Sequence, residues 1–158
     1  MSRSLKIICF TFLLYVILIF PVKSKENHGP VSDLCLACMC EAMTECNHEI
    51  GCEGIHCGIF KISKGHWTDA NMPTVDGEES TSDILDFENC ANDVHCAVKA
   101  VQGYMTRLAK DKDCNGDDET DCRDYMKIHY NGGWGACNTS LPALQKNRFE
   151  TCIKQLAF

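Results

Sequence analysis

The placement of cysteine constrains this chain more than any other feature. Twelve of its thirteen cysteines lie between Cys35 and Cys152, and six of them (Cys35, Cys38, Cys40, Cys46, Cys52 and Cys57) crowd into residues 35–57. The others are Cys90, Cys96, Cys114, Cys122, Cys137 and Cys152. An even set in so short a chain reads as a disulfide framework made in an oxidising compartment. Metal binding through Cys35, Cys38 and Cys40 is the competing use of such spacing, and the secretory context set out next argues against it. No metal and no cofactor is expected. Twelve cysteines leave the full connectivity open. The close pairs Cys40/Cys46, Cys52/Cys57 and Cys90/Cys96 suit local staples, and Cys35 and Cys38 are then left to reach the C-terminal half.

The first residues stand apart from this framework. Arg3 and Lys6 precede an apolar run from Ile7 to Phe20, followed by Pro21 and small residues up to Ser24. That is the pattern of a secretory signal peptide over residues 1–24; the run is short of the ~20 residues a membrane span requires. A flexible arm is expected over 25–32 and one domain over 33–158. The chain carries −7 overall. Three of its 15 basic residues and none of its 22 acidic ones fall in 1–24, which leaves −10 for residues 25–158. Such a charge repels nucleic acid and anionic lipid, so the expectation is an extracellular protein with no nucleic-acid partner and no membrane contact after cleavage.

Periodicity then divides the domain. Ser32 or Asp33 caps a helix carrying Leu36, Met39 and Met43 on one side. Ile59 to Ser63 alternates apolar and polar residues, as a half-buried strand does. Residues 71–89 hold six acids and no base, which predicts a solvated loop with at most one helical turn near Ile84 and Leu85. Asp93 caps a central helix with Val94, Val98, Val101, Met105 and Leu108 on its buried face, running to Lys110. Asp111 to Asp121 is an acidic loop whose start resembles a calcium loop, but Cys122 stands where the closing glutamate belongs. A short helix follows from Arg123 to Tyr130, stopped by Asn131-Gly132-Gly133. Asn138 opens an N-glycosylation sequon, and Ser140 is placed to cap a last helix whose Leu144, Phe149, Cys152, Ile153 and Leu156 face inward. The class is α+β, mainly helical and disulfide-rich, with a small β element.

Six motifs carry a resemblance: CLACMC at 35–40, CGIFKIS at 57–63, HWTDA at 66–70, CANDVHCA at 90–97, QGYMTRL at 102–108 and CRDYMKIHYNGGWGAC at 122–137. In order and character the chain resembles the invertebrate-type lysozymes, also called the destabilase family, across residues 33–152. The resemblance implies a lysozyme-like fold with a cleft between helices and a small sheet. It implies a glycoside hydrolase cutting the β-1,4 bond between N-acetylmuramic acid and N-acetylglucosamine of peptidoglycan, in antibacterial defence or digestion. That chemistry uses two carboxyl groups, one protonated to leave with the glycosidic oxygen and one ionised to support the sugar cation.

The chain departs from the family at the reaction centre. The family's acid is a glutamate three residues past the third cysteine of CxxCxC; here it is Met43. Glu41 and Glu45 lie two positions away, about 200° around the helix axis. Glu53 is the acid left to stand as second carboxylate, between Cys52 and Cys57, and Ile59 replaces the proline of the CGPF-like motif. Ala70 and Ala100 occupy positions where the family often has a cysteine pair. Some members are credited with an isopeptidase activity, for which His129 is the position to inspect, but Ser63 stands where the family has its basic partner, with Lys64 one place on. Candidate substrate-binding residues are Ser63, Trp67, Asp69, His129, Asn131 and Trp134. Two functions follow: a peptidoglycan hydrolase, or a catalytically inactive lysozyme-like protein that binds a glycan or a protein partner.

Overall fold

A computed structural model describes residues 29–80, 83–133 and 135–156. The expected signal peptide, the start of the arm and Trp134 lie outside the described residues. Helix α1 spans Asp33–Thr44. Ser32 caps it, its hydroxyl accepting the Cys35 N–H at 3.2 Å, which satisfies one of the first turn's orphan donors. Glu45 ends it in the left-handed region at φ 55°. The loose arm expected up to residue 32 is already fixed at Val31. Val31 is fully buried, and the Gln102 side-chain amide both accepts its N–H at 3.0 Å and donates to its carbonyl at 2.6 Å. The framework therefore starts before the first cysteine.

Three two-residue strands follow: β1 Cys52–Glu53, β2 His56–Cys57 and β3 Ile62–Ser63, antiparallel in that order. Cys52 pairs with Cys57 and Glu53 with His56; His56 pairs with Ser63 and Cys57 with Ile62. The strand expected over Ile59–Ser63 is thus only its last two residues. Ile59, Phe60 and Lys61 form a turn, closed by the Lys61 N–H on the Gly58 carbonyl at 2.9 Å. Ile59 and Phe60 are buried side by side, so the alternation breaks there. Gly58 is required: its φ is +72°, and a Cβ would stand 1.7 Å from the Ala91 carbonyl oxygen.

Five further helices complete the chain: α2 Lys64–Asp69, α3 Ile84–Asn92, α4 Val94–Leu108, α5 Cys122–Asn131 and α6 Ala143–Leu156, with a 3₁₀ turn at Ala136–Asn138. Helix α3 corrects the loop expected over 71–89. Its acids sit where a helix tolerates them: Asp83 is the N-cap and Asp86 lies in the first turn, against the positive end of the helix dipole. Phe87, Cys90 and Ala91 give it a buried face at helical spacing. Asp93 caps α4 as expected, its carboxylate accepting the Cys96 N–H at 2.8 Å, though α4 ends at Leu108 rather than Lys110. In α6 only Phe149 is fully buried. Leu144 is 56% exposed and Leu156 37%, so neither faces inward as the spacing predicted.

The cysteines from Cys35 to Cys152 form six disulfides, and the three local staples are Cys40–Cys46, Cys52–Cys57 and Cys90–Cys96. Cys35 reaches Cys122 on α5 and Cys38 reaches Cys152 on α6. Cys114–Cys137 ties the acidic loop to the 3₁₀ turn. Helix α1 is therefore fastened at two points to the C-terminal half, and α1 and α6 form the most extensive helix pairing. Met39, Ile62, Trp67, Met105, Met126, Ile128 and Phe149 fill the core behind it.

Candidate functional site

A cavity of about 580 Å³ opens where these elements converge. Met43 comes from the last turn of α1, Glu53 and His56 from opposed positions of the β1–β2 hairpin, and Lys61 from the next turn. Ser63 and His66 come from the start of α2, Tyr104 from α4, and His129 to Gly132 from the end of α5. Gln145 closes it from α6. The cleft thus gathers Met43, Glu53, Ser63, His129 and Asn131, five positions singled out by sequence.

Its charge balance is spare. Among its lining residues Glu53 is the one carboxylate, and the Lys61 ammonium is bonded to it as an ion pair. The thioether of Met43 is half-buried at the acid position. Its neighbours do not replace it: Glu45 pairs with Arg148 of α6, and neither Glu41 nor Glu45 lines the cleft. The Cys40–Cys46 disulfide encloses this turn, which holds the register that points Met43 inward.

The floor is built from imidazoles. Ser63 caps α2 by accepting the His66 N–H at 3.2 Å. That cap turns His66 towards the cleft and puts Trp67, one position on, into the core. His66 stacks on Tyr104, ring centres 3.6 Å apart and 13° from parallel, and meets His129 edge to face at 4.9 Å. His129 Nε2 lies 2.6 Å from the Phe60 carbonyl oxygen. Burial pushes the His129 pKa down to about 4, partly offset by the Phe60 carbonyl and reinforced by His56. Burial, then the neighbouring His129, lowers His66 well below its usual value. Both rings are neutral at pH 7, so neither supplies the proton that Met43 lacks. The Tyr104 hydroxyl accepts the Gly133 N–H at 2.7 Å, and burial raises its pKa against that bond.

The remaining sequence candidates fall elsewhere. Trp67 is fully buried, its indole N–H donates to the Pro73 carbonyl at 2.8 Å, and its ring packs on Phe87; no face is left for a sugar. Asp69 pairs with Arg107 at 3.5 Å and does not line the cleft. The Asn131 amide nitrogen is committed to the carbonyls of Ala136 and Thr139, at 3.3 and 2.9 Å, so it shapes the wall. Asn138 is exposed on the 3₁₀ turn. Asp113 of the calcium-like loop already accepts the N–H groups of Asn115, Gly116 and Asp118. Sequence reasoning passed over His56, Lys61, His66, Tyr130 and Gln145. For His66 a signal existed: a serine three residues ahead makes a cap, and a cap fixes which side of a short helix faces the sheet.

The chain matches the model of the Destabilase family over residues 32–152. It is 33% identical to an invertebrate-type lysozyme of Ruditapes philippinarum over 116 residues, 71% of this chain and 74% of that one. It is 34% identical to a lysozyme of Magallana gigas over 111 residues, 68% of this chain and 69% of that one. Among solved structures, the inhibitor-bound lysozyme from Meretrix lusoria superposes with a TM-score of 0.60 at 28% identity, covering 78% of this chain and 91% of the other. The chain belongs to the invertebrate-type lysozyme, or destabilase, family.

Proposed function

We propose that this protein is a secreted, lysozyme-like glycan-binding protein that holds peptidoglycan-type N-acetylated sugar chains in its cleft without cleaving them. Family membership supports a glycoside-hydrolase-like role and hence a glycan ligand. The observation that carries the loss of hydrolysis is Met43, a group without a proton at the position of the family's general acid, in a cleft whose lining offers one carboxylate and two neutral buried histidines. General acid catalysis contributes typically ~10²–10⁴-fold, and neither Met43 nor the two buried histidines provide it at neutral pH. Six disulfides and the apolar start of the chain support extracellular work, in defence or digestion.

The test uses purified, disulfide-intact protein with insoluble peptidoglycan. Retention on the pellet without clearing of the suspension is the expected result. Clearing by the native sequence, unchanged in Met43→Ala, would show that another acid works and would overturn the reading. The hydrolase reading keeps one supporting observation: Glu53, ion-paired with Lys61, places a carboxyl group on the cleft wall, where the reaction needs its second one.

A further inference from the structure

The cleft floor holds two imidazoles with no anion to receive a proton's charge. His66 and His129 are 8% and 7% exposed. His129 Nε2 donates to the Phe60 carbonyl, the pairing that geometry requires, so Nδ1 of the neutral ring carries a bare lone pair. That Nδ1 and the Nε2 of His66 are both buried without a hydrogen-bond partner. The turn at Phe60, α2, α4 and α5 meet at this pair, and each supplies part of the cleft wall or floor.

Resting on the glycan reading above, we infer that the cleft releases its glycan in acid, because a proton taken from solvent by the His66–His129 pair forces the floor apart. A proton on His129 Nδ1 creates a donor with no acceptor and a charge 4.9 Å from the second ring centre. Among the described residues no facing group neutralises it. The sheet side presents His56, which brings no anion, and Glu53, which Lys61 already holds. Asp69 of α2 is tied to Arg107 of α4. Helix α4 presents the neutral Tyr104, α1 presents Met43, and α6 presents Gln145. A glutamate at position 43 would put a second carboxylate in this cleft; the thioether leaves the pair uncompensated. Two contacts favour a cation: the stacked face of Tyr104, which serves His66 alone, and the Phe60 carbonyl on His129 Nε2, which leaves Nδ1 bare. Burial delays protonation of both rings until the medium is distinctly acidic, and the neighbouring His129 adds to the delay at His66.

The experiment measures retention on insoluble peptidoglycan from pH 7 to 3.5. In parallel, hydrogen exchange of the α2 and α5 amides is followed, corrected for the intrinsic pH dependence. Between pH 6 and 4 the native protein is expected to lose retention about tenfold and to gain a similar factor in exchange at α2 and α5. His129→Gln can still donate to Phe60 but cannot titrate. Together with His66→Gln, and each read against its own neutral-pH value, it should flatten both curves. Equal acid loss in both variants, or native exchange that does not rise in acid, overturns the inference. If the native protein is never retained, the glycan reading falls, and the exchange curves alone decide whether the floor opens.

Discussion

At position 43 one side chain decides between two chemistries on the same scaffold. Met43→Glu places a carboxyl group in a half-buried site beside neutral rings, where desolvation raises its pKa as an acid catalyst requires. Glu53, held by Lys61, is the cleft carboxylate left to act with it. Met43→Glu should therefore gain turbidity clearing at least ~10²-fold above the native protein, and adding Glu53→Gln should remove the gain. Clearing that survives in the double variant would exclude Glu53 from the reaction. Gly58 is a second position where one atom matters. A Cβ there meets the Ala91 carbonyl oxygen at 1.7 Å on a backbone with φ +72°, so sheet and α3 must separate. Gly58→Ala should cost at least ~3 kcal/mol, read as a fall in Tm of roughly 10 °C.

Among the elements, α1 bears the most constraint, since Cys35 and Cys38 bind it to α5 and α6 across 87 and 114 residues. Closing a long loop removes more unfolded-state entropy than closing a short one. Removing Cys38–Cys152 as a double alanine variant should cost about 4–5 kcal/mol, against about 2 kcal/mol for Cys90–Cys96, whose cysteines are six apart. Chemical unfolding of the two variants side by side measures the ratio; equal losses would place the effect in native-state packing instead. The elements also explain what was legible from sequence. Spacing and capping residues located α1, α4 and α5, because Ser32, Asp93 and the glycines after Asn131 act through local hydrogen bonds. Helix α3 was hidden because its acids read as solvation, whereas Asp83 and Asp86 are N-terminal helix residues. Of the site, Met43, Glu53 and His129 were visible through motif order. His66 and Tyr104 were not, because what makes them a floor is a stacking contact between residues far apart in the chain.

For the molecule as a whole, the same buried rings set how folding responds to acid. His129 has a pKa of about 4 in the fold and about 6.5 when unfolded. Between these values the unfolded chain binds a proton that the folded chain refuses. Its contribution is therefore complete above pH 6.5, falls as pH drops, and is fully lost below about pH 4. The size is about 3 kcal/mol for His129, and His66 shifts in the same direction. The carboxylates act in a lower window. Asp113 is held below its usual range first by the Gly116 N–H and then by Asp118, and Asp76 first by the Glu78 N–H and then by the Thr74 side chain. What they add is present above the ordinary aspartate pKa and is lost only as pH falls through their lowered values. Acid unfolding of the disulfide-intact protein should therefore show an early decline from pH 6.5 to 4, then a second one below it. His129→Gln should flatten the early decline and leave the second, because Asp76 and Asp113 sit in exposed loops and line no part of the cleft. Equilibrium denaturation at half-unit pH steps measures both slopes. An early decline of unchanged slope in His129→Gln would assign it to other groups and remove His129 from the acid response.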